Sequence, residues 1–307
     1  MIGAILAGGY GKRLKPLTDS IPKALVEIRE NYTIMDRQLF DFKNIGIKDV
    51  YILSGYLSEK IEERYKNYRD INLHFLREEK PMGTLYSISN LIKNINEDVI
   101  VRNGDTVSDI NFKNFVEISK NKKYGMTMYI TMMRSPYGIV EFSGDKVDSF
   151  REKPMLKYYI NAGIYYIKPR IFDAFTRKYM DTEIEKTAFP YLVKNNEIGV
   201  YTENATWIGI DSEKDLNTIR AAYKGRDDTP FGYIKTIYSY ENKKIFDYYI
   251  KAGESLNINI DSIIKINSGS GYMQSGDAFK YECGTVIPSR GNVRIDAFEN
   301  TELEAII

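Results

Sequence analysis

Short apolar runs alternate with segments of helical period through most of this chain, and that alternation leaves few architectures open. IGAILA, residues 2–7, is an apolar run that breaks into glycines. TIMDRQLFDFKNIG places Ile34, Leu39, Phe42 and Ile45 at helical spacing and stops at Gly46. KDVYILSG reads as a strand, LSEKIEERYKNY as a charged surface helix, INLHFL as a strand and TLYSISNLIKNI as a helix. DVIVRNGD is a strand running into a polar turn. Repeated βα units predict a mostly parallel sheet covered by helices on both faces. Ligands of such sheets sit beyond the carboxyl ends of the strands, where both the Gly-rich loop after Ala7 and Asp105 fall.

The strand-like stretches GMTMYITMM, YGIVEFSGDKVDSFRE and YYINAGIYYIK follow, then helical EIEKTAFPYLVKNN and DSEKDLNTIRAAYKG. They suggest a lid or substrate-binding subregion added to the α/β half. After Gly225 the composition shifts: short strands are broken by ENKK, KAGES, NSGSG, QSGD and SRGN, the pattern of a small all-β barrel or double-sheet domain. At 307 residues the chain exceeds one ordinary core. The expected organisation is an α/β region over 1–225, a linker over 226–232 and a β-domain over 233–307.

Composition narrows the chemistry. With 43 Lys+Arg against 42 Asp+Glu, no excess positive charge points to a nucleic-acid partner. The N-terminus lacks the pattern of a secretory leader, and no apolar run approaches the roughly 20 residues of a membrane span. The lone cysteine, Cys283, forms no internal disulfide. The expectation is a cytoplasmic protein with no membrane partner. The single histidine, His74, lies in a strand and reads as structural; one His and one Cys cannot build a His-rich zinc site or a Cys–His dyad. Any chemistry is left to carboxylates, Lys, Arg, backbone amides and a bound metal ion.

LAGGYGKRLKPLTDSIPKAL, residues 6–25, combines a strand end, Gly8-Gly9-x-Gly11, Arg13, and Lys23 behind Pro22. Glycines let backbone amides approach a phosphate, Arg13 offers a fork of donors, and Lys23 a compact charge. The dinucleotide fingerprint needs Gly or Ala where Leu14 stands, and a phosphate-loop NTPase needs Ser or Thr where Arg13 stands. The string resembles instead the signature of the sugar-phosphate nucleotidyltransferases, LAGG-x-G-x-R-L-x-P-L-T followed by P-K. EEKPMGTLYSI, VRNGD, YGIVEF with SFREKP, INAGIYYI and EIEKTAFPYL resemble further stretches of that family in its order, so the likeness extends over residues 1–222.

The resemblance implies a Rossmann-like, mostly parallel mixed sheet and Mg²⁺-assisted attack of a sugar 1-phosphate on the α-phosphorus of a nucleoside triphosphate, releasing pyrophosphate. The nucleotide would be held by Leu6, Ala7, Gly8, Gly9, Gly11, Lys12, Arg13, Lys23, Pro81, Gly83, Thr84 and Asp105. Lys23 would stand near the attacked phosphorus. Tyr137, Gly138, Glu152, Lys153, Asn161, Ala162, Gly163, Glu185 and Lys186 would form the sugar side, with Lys153 on the sugar's phosphate. Asp105 would be the first Mg²⁺ ligand. Many members place the second carboxylate two residues after a Trp, where this chain has Gly209; a subset resembling glucose 1-phosphate cytidylyltransferases has it four after, where Asp211 stands. Asp211 could equally cap the helix that follows.

Pro81-Met82-Gly83-Thr84 leans toward guanylyltransferases acting on mannose- or heptose-type 1-phosphates, and the Trp207–Asp211 spacing toward CTP or dTTP and glucose 1-phosphate or another phosphate monoester. The displaced carboxylate also admits a non-catalytic regulatory homologue that binds sugar nucleotide. Residues 233–307 loosely resemble a cupin; cupin metal sites use histidines and this segment has none, so it reads as an oligomerisation or ligand-sensing module. A homo-oligomer, assembled through this C-terminal domain, is the expected state.

Overall fold

The computed structural model describes residues 1–80, 82–241 and 243–307, in two compact units. One gathers residues 1–25, 45–106 and 114–203; the other gathers 26–44, 107–113 and 204–307. The chain begins with β1 (Ile2–Ala7), β2 (Glu27–Arg29), β3 (Tyr32–Thr33), α1 (Ile34–Asn44), β4 (Asp49–Ser54), α2 (Ser58–Tyr65), β5 (Asn72–Arg77), α3 (Thr84–Ile92), β6 (Val99–Asn103), β7 (Thr106–Ser108) and α4 (Phe112–Asn121). There follow β8 (Met126–Arg134), β9 (Ile139–Ser143), β10 (Lys146–Arg151), β11 (Met155–Ile167), α5 (Asp173–Thr176), α6 (Ala188–Lys194), β12 (Ile198–Tyr201), β13 (Trp207–Gly209) and α7 (Glu213–Tyr223).

The first unit is built on a seven-stranded sheet in the order β12-β8-β11-β6-β1-β4-β5. β1 runs parallel to β4 and β6, β4 to β5, and β12 to β8, while β11 is antiparallel to β6 and β8. This is the expected mostly parallel mixed sheet. GMTMYITMM and YYINAGIYYIK belong to it rather than to a separate subregion, because Ala162–Ile167 of β11 is fully buried between its neighbours. β9 and β10 alone of that stretch form a ribbon of their own. Ile2 and Ala4 of β1, Val99 and Val101 of β6, and Tyr165 and Ile167 of β11 share a core with Ile88 and Leu91 of α3, Phe175 of α5 and Leu192 of α6. Ile5, Ile52 and Ile100 point the other way and are buried too, as strands covered on both faces require. Among the described residues no helix is long and apolar enough to cross a membrane.

The second unit holds β14 (Arg226–Thr229), β15 (Gly232–Tyr240), β16 (Lys243–Ile250), β17 (Ser255–Ile258), β18 (Ser262–Ser268), β19 (Gly271–Ser275), β20 (Asp277–Tyr281), β21 (Val286–Ser289), β22 (Val293–Ala297) and β23 (Thr301–Ile306). They make two antiparallel sheets, β14-β15-β16-β23-β18-β21 and β17-β22-β19-β20. Alternate residues Ile250, Ile264, Ile266 and Leu303 of one and Leu256, Ile258, Met273 and Ile295 of the other fill the core. Arg226–Thr229, inside the stretch expected as a linker, is strand β14. Its Arg226 is buried and donates to the Asp109 carboxylate at 3.0 and 2.5 Å and to Asp228 Oδ1 at 2.9 and 2.6 Å. Buried Arg37 on α1 pairs with Asp41 and donates to the Tyr223 hydroxyl at 2.8 Å and the Ser108 carbonyl at 3.2 Å. Charges withdrawn from water need such complete pairing.

Candidate active site

The loop after β1 folds as three 3₁₀ turns, Lys12–Leu14, Leu17–Asp19 and Lys23–Leu25, anchored by buried Leu14, Thr18 and Ala24. Gly11 stands at φ +60°, and a Cβ there would meet Thr18 Cγ2 at 2.8 Å, so the position requires glycine. The third turn presents Lys23, whose Nζ donates to Asp105 Oδ2 at 2.8 Å. Asp105 arrives from the end of β6. The Gly104 amide donates to the Leu6 carbonyl at 2.9 Å, and a Cβ on Gly104 would lie 2.6 Å from that oxygen. Because β1 and β6 are parallel neighbours, the Gly-rich loop and Asp105 leave the same edge of the sheet side by side.

Around the Lys23–Asp105 pair lies a cavity of about 410 Å³. Leu6, Ala7, Gly8, Gly9, Lys23, Gly83, Thr84, Asp105 and Glu185 line it, all expected from the sequence. Ala24, Glu78, Ser87, Asn103, Gly104, Thr182 and Glu183 line it too and were not expected. Gly83, at φ +89°, opens α3, and a Cβ there would strike Thr182 at 2.6 Å. The Leu85 amide donates to the Thr182 carbonyl at 2.9 Å and the Ile184 amide to Thr84 Oγ1 at 3.0 Å, which fixes this wall. Glu78 follows β5 and is buried; its carboxylate accepts from the Met82 amide at 3.0 Å and from the Ser87 hydroxyl. Burial, and then the neighbouring Glu183 carboxylate, raise the Glu185 carboxyl above its ordinary value. Burial also raises the Tyr165 phenol, and the charges of Glu185 and Asp105 add to it, so the group stays protonated.

Residues 2–226 match the nucleotidyl transferase family over nearly three quarters of the sequence. The chain belongs to that family. The mannose-1-phosphate guanyltransferase of Saccharomyces cerevisiae is 32% identical over 229 residues, 70% of this chain and 63% of that protein. The Debaryomyces hansenii protein of the same name is 32% identical over 229 residues, 70% of this chain and 62% of that one. This nucleotidyl transferase thus spans under two thirds of the length of these relatives. HddC from Yersinia pseudotuberculosis, solved complexed with GMP-PN, is 25% identical with a TM-score of 0.57, covering 73% of this chain and 100% of that one. A UDP-glucose pyrophosphorylase complexed with UDP-glucose has the same fold, at 18% identity and a TM-score of 0.58 over 73% of this chain and 98% of that one.

The other expected residues of this nucleotidyl transferase that the structure describes lie outside the cavity lining. Arg13 and Lys12 sit on the exposed first turn, Lys12 with its Nζ 5.6 Å from the Tyr10 ring centroid. Asn161 donates to the Tyr165 hydroxyl at 2.8 Å and accepts from the Gly163 amide at 3.0 Å. Gly163, at φ +71°, has no room for a Cβ against Asn103 Nδ2 at 2.5 Å, so the Asn161-Ala162-Gly163 bend abuts a residue of the cavity wall. Gly138, Glu152 and Lys153 form a second cluster: Lys153 Nζ lies 2.9 Å from Glu152 Oε1, and a Cβ on Gly138 would lie 3.2 Å from Glu152 Oε2. Tyr137 beside them is exposed. Lys186 pairs with Asp181 at 3.3 Å. Pro81 lies outside the described residues. Asp211 belongs to the second unit, and Ser212, not Asp211, caps α7: its hydroxyl accepts from the Asp215 amide, and the Asp215 side chain closes the capping box. Glu78 opens EEKPMGTLYSI, one of the stretches that carry the family likeness, but nothing local in Glu78-Glu79-Lys80 marks it for a buried cavity wall rather than for solvent.

Proposed function

We propose that this chain transfers GMP from GTP to a sugar 1-phosphate of the mannose or heptose type, giving the GDP-sugar and pyrophosphate. What carries the choice of base is Glu78, a buried carboxylate in the wall of the cavity that also holds Lys23 and Asp105. Guanine offers two adjacent donors, its ring N–H and its amino group, which a carboxylate's two acceptor oxygens suit. Uracil and thymine turn carbonyl oxygens to either side of their one N–H, and a carboxylate repels them. Relatives that are mannose-1-phosphate guanyltransferases and a neighbour solved with GMP-PN support the same base.

The nucleophile is a phosphate dianion, so alignment and charge neutralisation suffice and no general base is needed. Lys23 is assigned to the charge developing at the attacked phosphate, Arg13 to the triphosphate, and Lys153 with Glu152 and Asn161 to the sugar phosphate. A hard carboxylate oxygen opening on a cavity with room for a nucleotide's phosphates suits Mg²⁺, which takes one or two carboxylates and completes its shell with water and phosphate. Asp105 is the residue assigned to hold it, and bound there it would draw negative charge off the phosphates. In this reading residues 1–225 carry the chemistry, and the β-domain, of which 226–229 already form a strand, adds a sensing module.

Pyrophosphate release should be measured for GTP, CTP, dTTP, UTP and ATP against mannose, heptose and glucose 1-phosphates. GTP is expected to lead, and Glu78→Gln to lower its kcat/KM about 10- to 100-fold while sparing the pyrimidine nucleotides. A lead for CTP or dTTP with glucose 1-phosphate would replace GTP by the alternative that the Trp207–Asp211 spacing suggests. Silence with every pair would leave the regulatory homologue.

A further inference from the structure

The β9–β10 ribbon is apolar on one face and polar on the other. Val140 lies directly across from Phe150 and Phe142 directly across from Val147, so these four side chains share a face. They are 48, 62, 71 and 58% exposed in that order. The opposite face is satisfied by itself: Glu141 accepts from Ser149 Oγ at 2.7 Å and from Arg151 Nη2 at 2.8 Å. A lone two-stranded ribbon is marginal in water, and four adjacent apolar side chains, each about half exposed or more even though the Phe150 ring lies against Gly138, form a patch that calls for cover.

We infer that the cover is the same ribbon of a second copy, packed face to face about a two-fold axis. The four residues alternate in size, with the phenylalanines on one diagonal and the valines on the other. A two-fold axis lying between the ribbons sets Phe150 on the partner's Val140 and Phe142 on the partner's Val147 if it runs along the strands. If it runs across them, Phe142 meets the partner's Val140 and Phe150 the partner's Val147. Either way a large side chain enters the space left by a small one, which is how facing layers interdigitate. Two phenylalanines about two-thirds exposed and two valines about half exposed supply at most roughly 400–500 Å² per copy, or roughly 800–1,000 Å² for the pair, the size of a weak, reversible association. The interface is isologous and closes at two copies. It moves the expected self-association from the C-terminal domain to the catalytic unit, and it stands whether or not the substrates proposed above are correct.

Sedimentation equilibrium of the full chain across the micromolar range should show a monomer–dimer equilibrium. Phe142→Glu should weaken it about a hundredfold, with the circular dichroism of the folded chain unchanged. In the wild-type protein, amide hydrogen exchange over residues 139–151 should quicken on dilution, a readout that holds even if the variant misfolds. A wild-type monomer at every concentration overturns the inference, as does a dimer that persists in the folded variant. So does protection of 139–151 that ignores concentration, which would mean that the chain covers the ribbon itself.

Discussion

Lys23 and Asp105 hold each other at 2.8 Å across the cavity wall, and each alters what the other can do when a triphosphate arrives. A lysine held by a carboxylate is aimed before the substrate binds, and its charge is worth most where negative charge grows in the transition state. Lys23→Ala is therefore expected to lower kcat by about 10²- to 10³-fold with little change in KM. Lys153→Ala, in the separate cluster with Glu152 and Gly138, should instead raise KM for the sugar phosphate. Steady-state kinetics of the two variants check this division, and one shared signature would refute it. Residues set in fixed motifs, such as Lys23, Gly83 and Asp105, could be placed from the sequence alone. Glu78 could not, because a carboxylate in a charged run carries no local mark of burial.

At the scale of elements, strands and helices followed from apolar runs and helical spacing, as α1 and α3 illustrate with Leu39 and Phe42, and Ile88 and Leu91, all buried. The pattern did not show which sheet a strand joins. β8 and β11 read as a subregion because their tyrosines and methionines suit any half-covered strand, and only the pairing of β11 with β6, and of β8 with β11, sets them in the central sheet. Asp211 could equally have capped α7, and the capping box of Ser212 with Asp215 gives that role to Ser212. That separates two measurements. Ser212→Ala should cost about 1 kcal/mol in urea unfolding with turnover nearly intact. Asp211→Asn should leave stability unchanged and, if Asp211 serves the metal, cut turnover by orders of magnitude; an active Asp211→Asn enzyme would remove it from the site.

At the scale of the molecule, the second unit gathers three separate stretches of chain around buried Arg37, Asp41, Asp109 and Arg226. None of these was singled out from the sequence, where nothing local marks Arg37 and Asp41, four apart on a helix, for burial. Burial alone would raise the Asp109 carboxyl, but Arg226, with its hydrogen bonds, and Arg37 hold it below its ordinary value. A depressed carboxyl contributes stability above its unfolded pKa, about 3.9, and loses it as pH falls through the folded value. Asp109→Asn should therefore cost about 3–5 kcal/mol near neutrality. Its stability should also fall less steeply than the wild type's below about pH 4, as urea unfolding at several pH values would show.

The same interleaving bears on how such a gene can be recombined. A chain cut after residue 225 would keep the Gly-rich loop, Lys23 and Asp105, yet Asp109 and Arg37 would lose the guanidinium of Arg226 that shares their interior. The β-domain is therefore not a cassette that can be swapped between relatives at a single junction. A working chimera would have to bring residues 26–44 and 107–113 from the same parent as 204–307, three inserts chosen together.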